Sequence, residues 1–422
     1  MRVLIVGAGV VGMATAWSLH SAGVEVTVID RASGPGRETS FANGSLLHPS
    51  LVEPWNSPGI LKTLLTNLGR EDAAVLLRLR AVPSLIGWGR EFVRQSTADR
   101  FERNALRNLR LAQYSLRQFA QLRERSGIRY SAYQRGLLTL FRNRMAQRDV
   151  LAWYRRLAPH GLIIEPLDTA QTVAMEPSLE AVSSALVGSV FAVHDEGGDP
   201  HAFCTELASH LAARGMSFRF GETVKRLNVV GGRITAAELE SGEQLAADQY
   251  VLAAGAYSAD LARSAGVRLP VVPAKGYSLT LPRVETAPTP QIPVVDTSLH
   301  MAVVPVGADR LRVAGTAEFT GYDTSINPAR TANLLRLLQQ LYPNLASALH
   351  GVDPSPWTGL RAMCPDGVPL IGPSGIERLW INTGHGHVGW TLAAGSGQLA
   401  ADQIVGAKPA LPVADYDPRR FA

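Results

Sequence analysis

The chain has 422 residues, 46% of them hydrophobic, and a formal net charge of +5. That length and apolar content exclude a disordered chain and allow two domains, or one domain with a large insertion. The two cysteines, Cys204 and Cys364, lie far apart and outside any C-x-x-C, so they exclude a disulfide framework and suit a reducing compartment; the basic excess comes almost wholly from arginine, the lysines being Lys62, Lys225, Lys275 and Lys408.

The first predicted element is the apolar run Val3 to Val6, which reads as a buried parallel strand. It is followed by Gly-Ala-Gly-Val-Val-Gly, with glycines at 7, 9 and 12, a helix-length stretch to Ser21, and a second strand from Val24 that ends on Asp30 and Arg31. Strand, G-x-G-x-x-G, helix, strand and acid together make a dinucleotide fingerprint. The glycines let the backbone approach a pyrophosphate, the helix N-terminus at Val10 and Val11 faces it, and the acid holds a ribose. A competing reading is a secretory signal, with Arg2, an apolar stretch and Ala14-Thr15-Ala16 as its cleavage site; cleavage there would destroy a motif whose second strand and acid are also present. The run is too rich in glycine, and too soon interrupted by His20 and Glu25, to span a membrane.

Residues 32–45 are rich in turn formers and leave the C-terminal edge of the sheet, where Ser40, Asn43 and Gly44 offer hydroxyl, amide and bare backbone to phosphate or to a flavin ring. His48, Glu53 and Trp55 follow. From Ile60 to Arg125 the pattern is helical, most clearly from Ala98 on, where Phe101, Ala105, Leu109, Ala112, Leu116 and Phe119 recur at spacings of three and four and arginines fill the other faces. Within Leu61 to Trp88, leucines and Trp88 alternate with Arg70, Arg78 and Arg80, a composition suited to contact with anionic membrane head groups.

Strands are predicted at 136–141 and 185–193, with a helix over 145–158 between them. A helix over 200–213 leads to a meander at 217–220, 223–230, 233–239 and 244–247, with Gly231-Gly232 and Ser241-Gly242 as its turns. A buried strand from Gln249 closes on Gly255. Antiparallel strands at 270–281, 292–305 and 311–318 precede a helix over 327–341. The C-terminal part carries a strand at 379–382, the run Gly384-His-Gly-His-Val-Gly, and a last helix from Trp390. That run directs N–H groups and a positive helix end at whatever lies before it, as the N-terminal glycines do.

Six segments then carry a family resemblance: the Gly7 to Gly12 frame, Glu38-Thr-Ser-Phe-Ala-Asn, Val251-Leu-Ala-Ala-Gly, Lys275-Gly-Tyr-Ser, Trp357-Thr-Gly-Leu-Arg with Pro365-Asp-Gly, and Asn382-Thr-Gly-His-Gly with Gly389-Trp-Thr. In this order, over nearly the whole chain, they resemble D-amino-acid dehydrogenases of the small-subunit type. These belong to a wider group of FAD enzymes that includes D-amino-acid oxidase, glycine oxidase and sarcosine oxidase. The resemblance implies an α/β plus α+β fold: a Rossmann-type FAD-binding domain with a β-meander insert (1–60, 195–266 and 350–422), and a substrate domain on a mainly antiparallel sheet (61–194 and 267–349). It implies FAD contacts at Gly7, Gly9, Val10, Val11, Gly12, Asp30, Arg31, Ser40, Asn43, Gly44, Val224, Ala254, Gly255, Gly384, Gly386, Gly389, Trp390 and Thr391. Arg361, in the Gly-Leu-Arg motif, is the expected partner of a substrate carboxylate, because a guanidinium fork matches it bidentately. His48, Tyr277, His385 and His387 are expected to line the pocket or receive the amine proton.

Two positions depart from the family pattern. Cys364 stands where threonine is usual, and the loop Gly44-Ser-Leu-Leu-His-Pro-Ser replaces Ala-Gly-Gln-Ile-Ser-Pro-Gly, which suggests an altered side-chain preference such as a cyclic D-imino acid. The expected reaction is oxidative deamination of a small D-amino acid, with electrons passed to a quinone, in the cytoplasm at the inner face of the membrane and without metal or nucleic acid. The rivals are an oxygen-using glycine or sarcosine-type oxidase, a flavoprotein acting on RNA, for which basic residues interleaved with aromatics are lacking, and an NAD enzyme, which would leave the C-terminal motifs unexplained.

Overall fold

Val3, Leu4, Ile5 and Val6 are all buried, and the strand Arg2–Val6 they form is the centre of a six-stranded sheet in a computed structural model that describes residues 1–60, 62, 70, 71 and 73–421. The order across the sheet is Leu370–Pro373, Leu379–Thr383, Gln249–Leu252, Arg2–Val6, Glu25–Asp30 and Ser217–Phe220; all pairings are parallel except that of the first two strands. Val3 faces Gln249 on one side and Val26 on the other. With both edges of the central strand occupied, the parallel sheet must be covered on both faces. The helices Val10–Ser21, Ala98–Ser126 and Gly389–Val405 pack on one face, where Met13, Leu19, Phe119, Leu122, Ala393 and Ala401 share a core. On the other face lie the helix Ser258–Ser264 and a three-stranded meander of Val224–Val230, Arg233–Leu239 and Gln244–Leu245.

The second sheet has nine strands. From one edge it runs Pro356–Met363, Val272–Pro282, Arg310–Phe319, Met301–Val306, Val294–Asp296, Leu137–Phe141, Gly188–Ala192 and Ile164–Leu167, and Val75–Leu77 pairs beside Arg310–Phe319. It is mainly antiparallel, as expected, with two parallel pairings. The fold thus has the expected α/β and α+β parts.

Several boundaries differ from the sequence reading. Val75–Leu77 is a strand inside the stretch expected to be helical, because three consecutive apolar residues are enough to extend a sheet and carry too little length for helical periodicity to outweigh it. Helices Val82–Gln95 and Ala98–Ser126 follow it, and Leu61 with the leucines between 63 and 69 lies outside the described residues. The expected single strand 292–305 is a hairpin of Val294–Asp296 and Met301–Val306, turned where the Asp296 carboxylate accepts the N–H groups of Ser298 and Leu299. Pro356–Met363, within the segment expected in the FAD-binding part, is an edge strand of the nine-stranded sheet, and it carries Arg361.

Candidate active site

A cavity of about 1890 Å³ runs from the C-terminal ends of the parallel strands to the nine-stranded sheet. Ligand pockets for small molecules occupy roughly 300–1,000 Å³, so this one has room for a dinucleotide together with a substrate. Its first end is built from backbone. Gly7 has φ +112°, a region costly for any residue with a Cβ, and its chain lies against Ala253. A Cβ on Gly12 would overlap the carbonyl oxygen of Gly7, so Gly12 is what lets the helix Val10–Ser21 start this close to the strand. The Val10 N–H, at the first turn of that helix, donates to Ser40 Oγ at 3.0 Å.

Asp30 does not stand free at the end of its strand. Its two carboxylate oxygens accept the N–H groups of Ala8 (2.7 Å) and Ala32 (2.8 Å), which braces both loops at the cavity wall. Burial raises its pKa above the usual carboxylate value while those two hydrogen bonds lower it. Arg31 is paired with Glu38 and lies 3.8 Å over the ring of Tyr257, whose other neighbour is the stacked ring of Tyr322. The 32–45 loop is fastened to the second sheet. Thr39 Oγ1 donates to the Leu360 carbonyl (2.7 Å), Ser278 Oγ to the Ala42 carbonyl (2.6 Å) and an Arg312 guanidinium nitrogen to the Asn43 carbonyl (3.3 Å). The Asn43 side chain is spent on its own turn, accepting the Ser45 N–H at 2.9 Å.

The second end is built from side chains. Arg361 is fully enclosed, its guanidinium lies against Gly276 where a Cβ would overlap it, and its Nη1 has no hydrogen-bond partner. Loss of solvation pulls its pKa down to about 10, and an unpaired cation in such a place is costly unless an anion completes it. Trp55 lies beside it, with the Arg361 Cζ 5.7 Å from the Trp55 ring centroid, and stacks on His387 at 5.4 Å. Burial pulls His48 down to about 4 and His385 and His387 to about 3, so all three are neutral at ordinary pH. His48 Nδ1, His385 Nε2 and Trp390 Nε1 are buried without partners. The His48 backbone N–H donates to Thr391 Oγ1 at 3.1 Å, which joins the 44–50 loop to the last helix.

The cavity collects Arg361, His48, Tyr277, His385 and His387, along with Gly7, Gly9, Val10, Val11, Asp30, Arg31, Ser40, Asn43, Gly44, Val224, Ala254, Gly255, Gly386, Gly389 and Trp390. Gly12, Gly384 and Thr391 stand behind its wall. Tyr277 lines the cavity, but its hydroxyl is committed: it donates to Glu318 Oε2 at 2.6 Å, and Glu318 in turn meets Arg78 (2.5 Å) and Lys275 (3.7 Å). Residues that the sequence did not mark as functional also line it, among them Tyr257, Trp153 and Thr139. Tyr257 follows Gly255 by two positions in an already recognised motif, a signal that could have been read; Trp153 sits in an arginine-rich amphipathic helix that offers none.

A glycine turn and helix N-terminus at one end, and an unpaired guanidinium among neutral imidazoles at the other, suit a dinucleotide-dependent oxidoreductase. These groups suit a bound FAD: backbone approach at Gly7 and Gly9, a helix N-terminus for phosphate, and polar atoms without partners where a ring and a substrate would lie. The chain belongs to the family described as FAD dependent oxidoreductase (DAO), whose model matches residues 2–403, and it is an FAD-dependent enzyme. It is 42% identical over 425 residues, covering 100% of this chain and 99% of the relative, to a protein of Paramagnetospirillum magneticum named D-amino acid dehydrogenase. It is 41% identical to a protein of the same name from Dechloromonas aromatica, covering 97% and 98% of the two chains. Among solved structures the fold is similar to L-proline dehydrogenase from P. horikoshii (TM-score 0.78, 18% identity, 100% and 97% covered) and glycine oxidase from Geobacillus kaustophilus (TM-score 0.75, 23% identity, 99% of each chain covered).

Proposed function

We propose that the chain catalyses oxidative deamination of D-amino acids. The observation that carries the reading is Arg361, a buried guanidinium with an unpartnered nitrogen facing the cavity, in a chain whose full-length relatives are named D-amino acid dehydrogenase. Arg361 holds the substrate carboxylate, and the indole of Trp55 closes one side of it. With its carboxylate fixed, the substrate has its Cα and amine turned toward His48 and His385, whose depressed pKa values keep them neutral and able to accept a hydrogen bond from the amine. When bound, FAD supplies a two-electron acceptor for the Cα hydride. The amine nitrogen loses a proton to water and becomes an imine, which water hydrolyses to a 2-oxo acid and ammonia. No acid–base step of large driving force is required once the amine is neutral, so the protein contributes mainly orientation and exclusion of water.

The FAD is held without a covalent bond. Cys364 is buried but does not line the cavity, and its thiol is pushed up by burial, so it is a poor nucleophile. A membrane quinone is the electron acceptor. The helix Val82–Gln95 turns Leu85, Trp88 and Phe92 to the cavity, while Ile86 is 60% exposed on its outer side and Leu79, in the preceding turn, is 74% exposed. The exposed Arg80 and Arg94, paired with Asp323 and Glu91, add guanidinium groups to this stretch that suit an anionic interface. No helix among the described residues is long and apolar enough to cross a membrane, so the contact is peripheral. Anaerobic addition of D-amino acids to the yellow protein is expected to bleach the flavin, with rapid recolouring by a soluble quinone and slow recolouring by air. No bleaching by any D-amino acid overturns the reading, and recolouring by air at the turnover rate replaces the quinone with oxygen.

A further inference from the structure

In the cavity that holds Arg361 and Trp55, Glu53, Phe101 and Trp153 form a wing of the wall joined by the Trp153–Glu53 hydrogen bond and the Phe101–Trp153 ring contact, with Thr139, Val150 and Tyr154 also in the lining. It is joined to Arg361 through Trp55, two residues along the chain from Glu53: the Trp55 ring centroid lies 5.7 Å from the Arg361 Cζ.

Of the two acids there, Asp149 and Glu53, the second is the one hydrogen-bonded to the aromatic wall. The Trp153 indole N–H donates to its Oε1 at 2.6 Å, and no cation pairs with it among the described residues, although Arg31, Arg90, Lys225 and Arg361 all reach the same cavity. Asp195 lies close enough to interact with it, its carboxylate accepting the Ser50 hydroxyl at 2.5 Å. Burial moves Glu53 up to about 6, against the Trp153 and backbone hydrogen bonds that lower it. A carboxylate taken out of water without a countercharge costs stability, and chains retain such groups where a ligand supplies the missing charge. The walls agree, since Trp153 and Phe101 present ring faces to the same space, their centroids 5.4 Å apart, and aromatic faces attract cations.

We propose that Glu53 is a specificity residue that selects D-amino acids whose side chain ends in a positive charge, such as an ammonium or guanidinium head. The proposal rests on the function given above and deepens it by naming the side-chain class, in place of the small or cyclic side chain expected from the 44–50 loop. A cationic head pairs with the free oxygen of Glu53 while the methylene stem lies along the indoles of Trp55 and Trp153; a neutral side chain of equal length leaves the carboxylate unpaired.

The test compares kcat/KM of the flavin-loaded wild-type enzyme for D-lysine against D-norleucine and for D-arginine against D-citrulline, pairs matched in length and differing in charge. The expected preference for the cation is about 10- to 100-fold, the worth of one charge-assisted hydrogen bond. Glu53→Gln keeps an acceptor for Trp153 and is expected to shrink both ratios by a similar factor, mainly through KM. A wild-type preference for the neutral partner, or ratios that move less than about twofold in Glu53→Gln, overturns the proposal; the wild-type ratios decide it even where the variant fails to fold. Should L- rather than D-enantiomers reduce the flavin, the handedness of the function reading fails while the same ratios, measured on L-lysine and L-norleucine, still judge Glu53.

Discussion

The two ends of the cavity are made of different material. At the glycine end the wall is backbone, and its polar groups are already engaged: Asp30 accepts two N–H groups, Ser40 accepts a third, and Asn43 closes its own turn. At the Arg361 end the wall is side chain, and its polar groups are unengaged: Arg361 Nη1, His48 Nδ1 and His385 Nε2 are buried without partners. Buried polar groups without partners are expensive, so those that face the cavity at this end mark where a ligand completes the structure. A tightly held cofactor suits a surface organised before it arrives, whereas a substrate suits one that pays off only when filled. Substitutions at the two ends should therefore fail differently, the first in flavin retention and stability, the second in kinetics.

The largest effect is expected at the glycine end. Gly12→Ala places a Cβ on the Gly7 carbonyl, where neither backbone segment can yield without parting the first strand from its helix. The protein is expected to purify without flavin, or not to accumulate at all. A soluble Gly12→Ala protein with one flavin per chain would show that this packing is dispensable. At the other end, Arg361→Lys should keep the flavin but raise KM for amino acids by one to three orders of magnitude, because a bidentate charge-assisted pair worth roughly 1.5–4 kcal/mol is reduced to a point contact. Steady-state kinetics on the flavin-loaded variant measure this, and an unchanged KM removes Arg361 from the carboxylate site.

The same contrast explains what could be read from the residues. The glycine end is local: strand, turn, helix and acid fall within some thirty consecutive residues, and each restricts the backbone in a way that only certain residue types permit, so their positions announce the site. The Arg361 end is assembled from distant strands. Arg361 and His385 were legible because they sit in compact motifs, whereas Trp153 reaches Glu53 across 100 positions, and neither neighbourhood shows that in sequence. Tyr277 lines the cavity, but its hydroxyl partner, Glu318, lies 41 residues away on the adjoining strand. Val75–Leu77 was read as helix for a related reason: its strand character comes from the open edge of Arg310–Phe319, which no local pattern encodes.

Behind the substrate wing, Asp195 sharpens the comparison through pH. Burial lifts its carboxyl to about 8, well above the ordinary value of 3.8, with the Ser50 hydrogen bonds opposing that rise. The folded state thus holds a proton that the unfolded chain releases above pH 3.8, so this group's contribution is fully present below that pH and is lost as pH rises toward 8. Asp195→Asn keeps a neutral group of the same shape and removes the dependence. Its melting temperature relative to the wild type is expected to rise between pH 5.5 and 8.5, by the equivalent of at most roughly 2–3 kcal/mol. Thermal melts at the two pH values measure it, and parallel shifts in both proteins would mean that Asp195 is not titrating in this window.

The smallest effect belongs to Ser40, and it separates the two ends most finely. Its hydroxyl accepts the Val10 N–H at the first turn of the helix Val10–Ser21, the helix cap itself being Gly9, which has no side chain to offer. Ser40→Ala leaves that N–H unsatisfied at a helix terminus, a loss of about 1 kcal/mol, and withdraws the nearest hydroxyl from the glycine turn. The substitution should weaken FAD binding about fivefold and lower the melting temperature slightly, while KM for the amino acid measured with saturating FAD stays within about twofold, because Arg361 and the histidines do not touch this loop's hydroxyl. Flavin titration of the apoprotein, set beside steady-state kinetics of the reloaded enzyme, reads both quantities from one preparation. A KM shift as large as the loss of flavin affinity would mean that the 32–45 loop, tied by Thr39 and Ser278 to the strands that carry Arg361 and Tyr277, transmits its position to the substrate, and that the two ends are one mechanical unit.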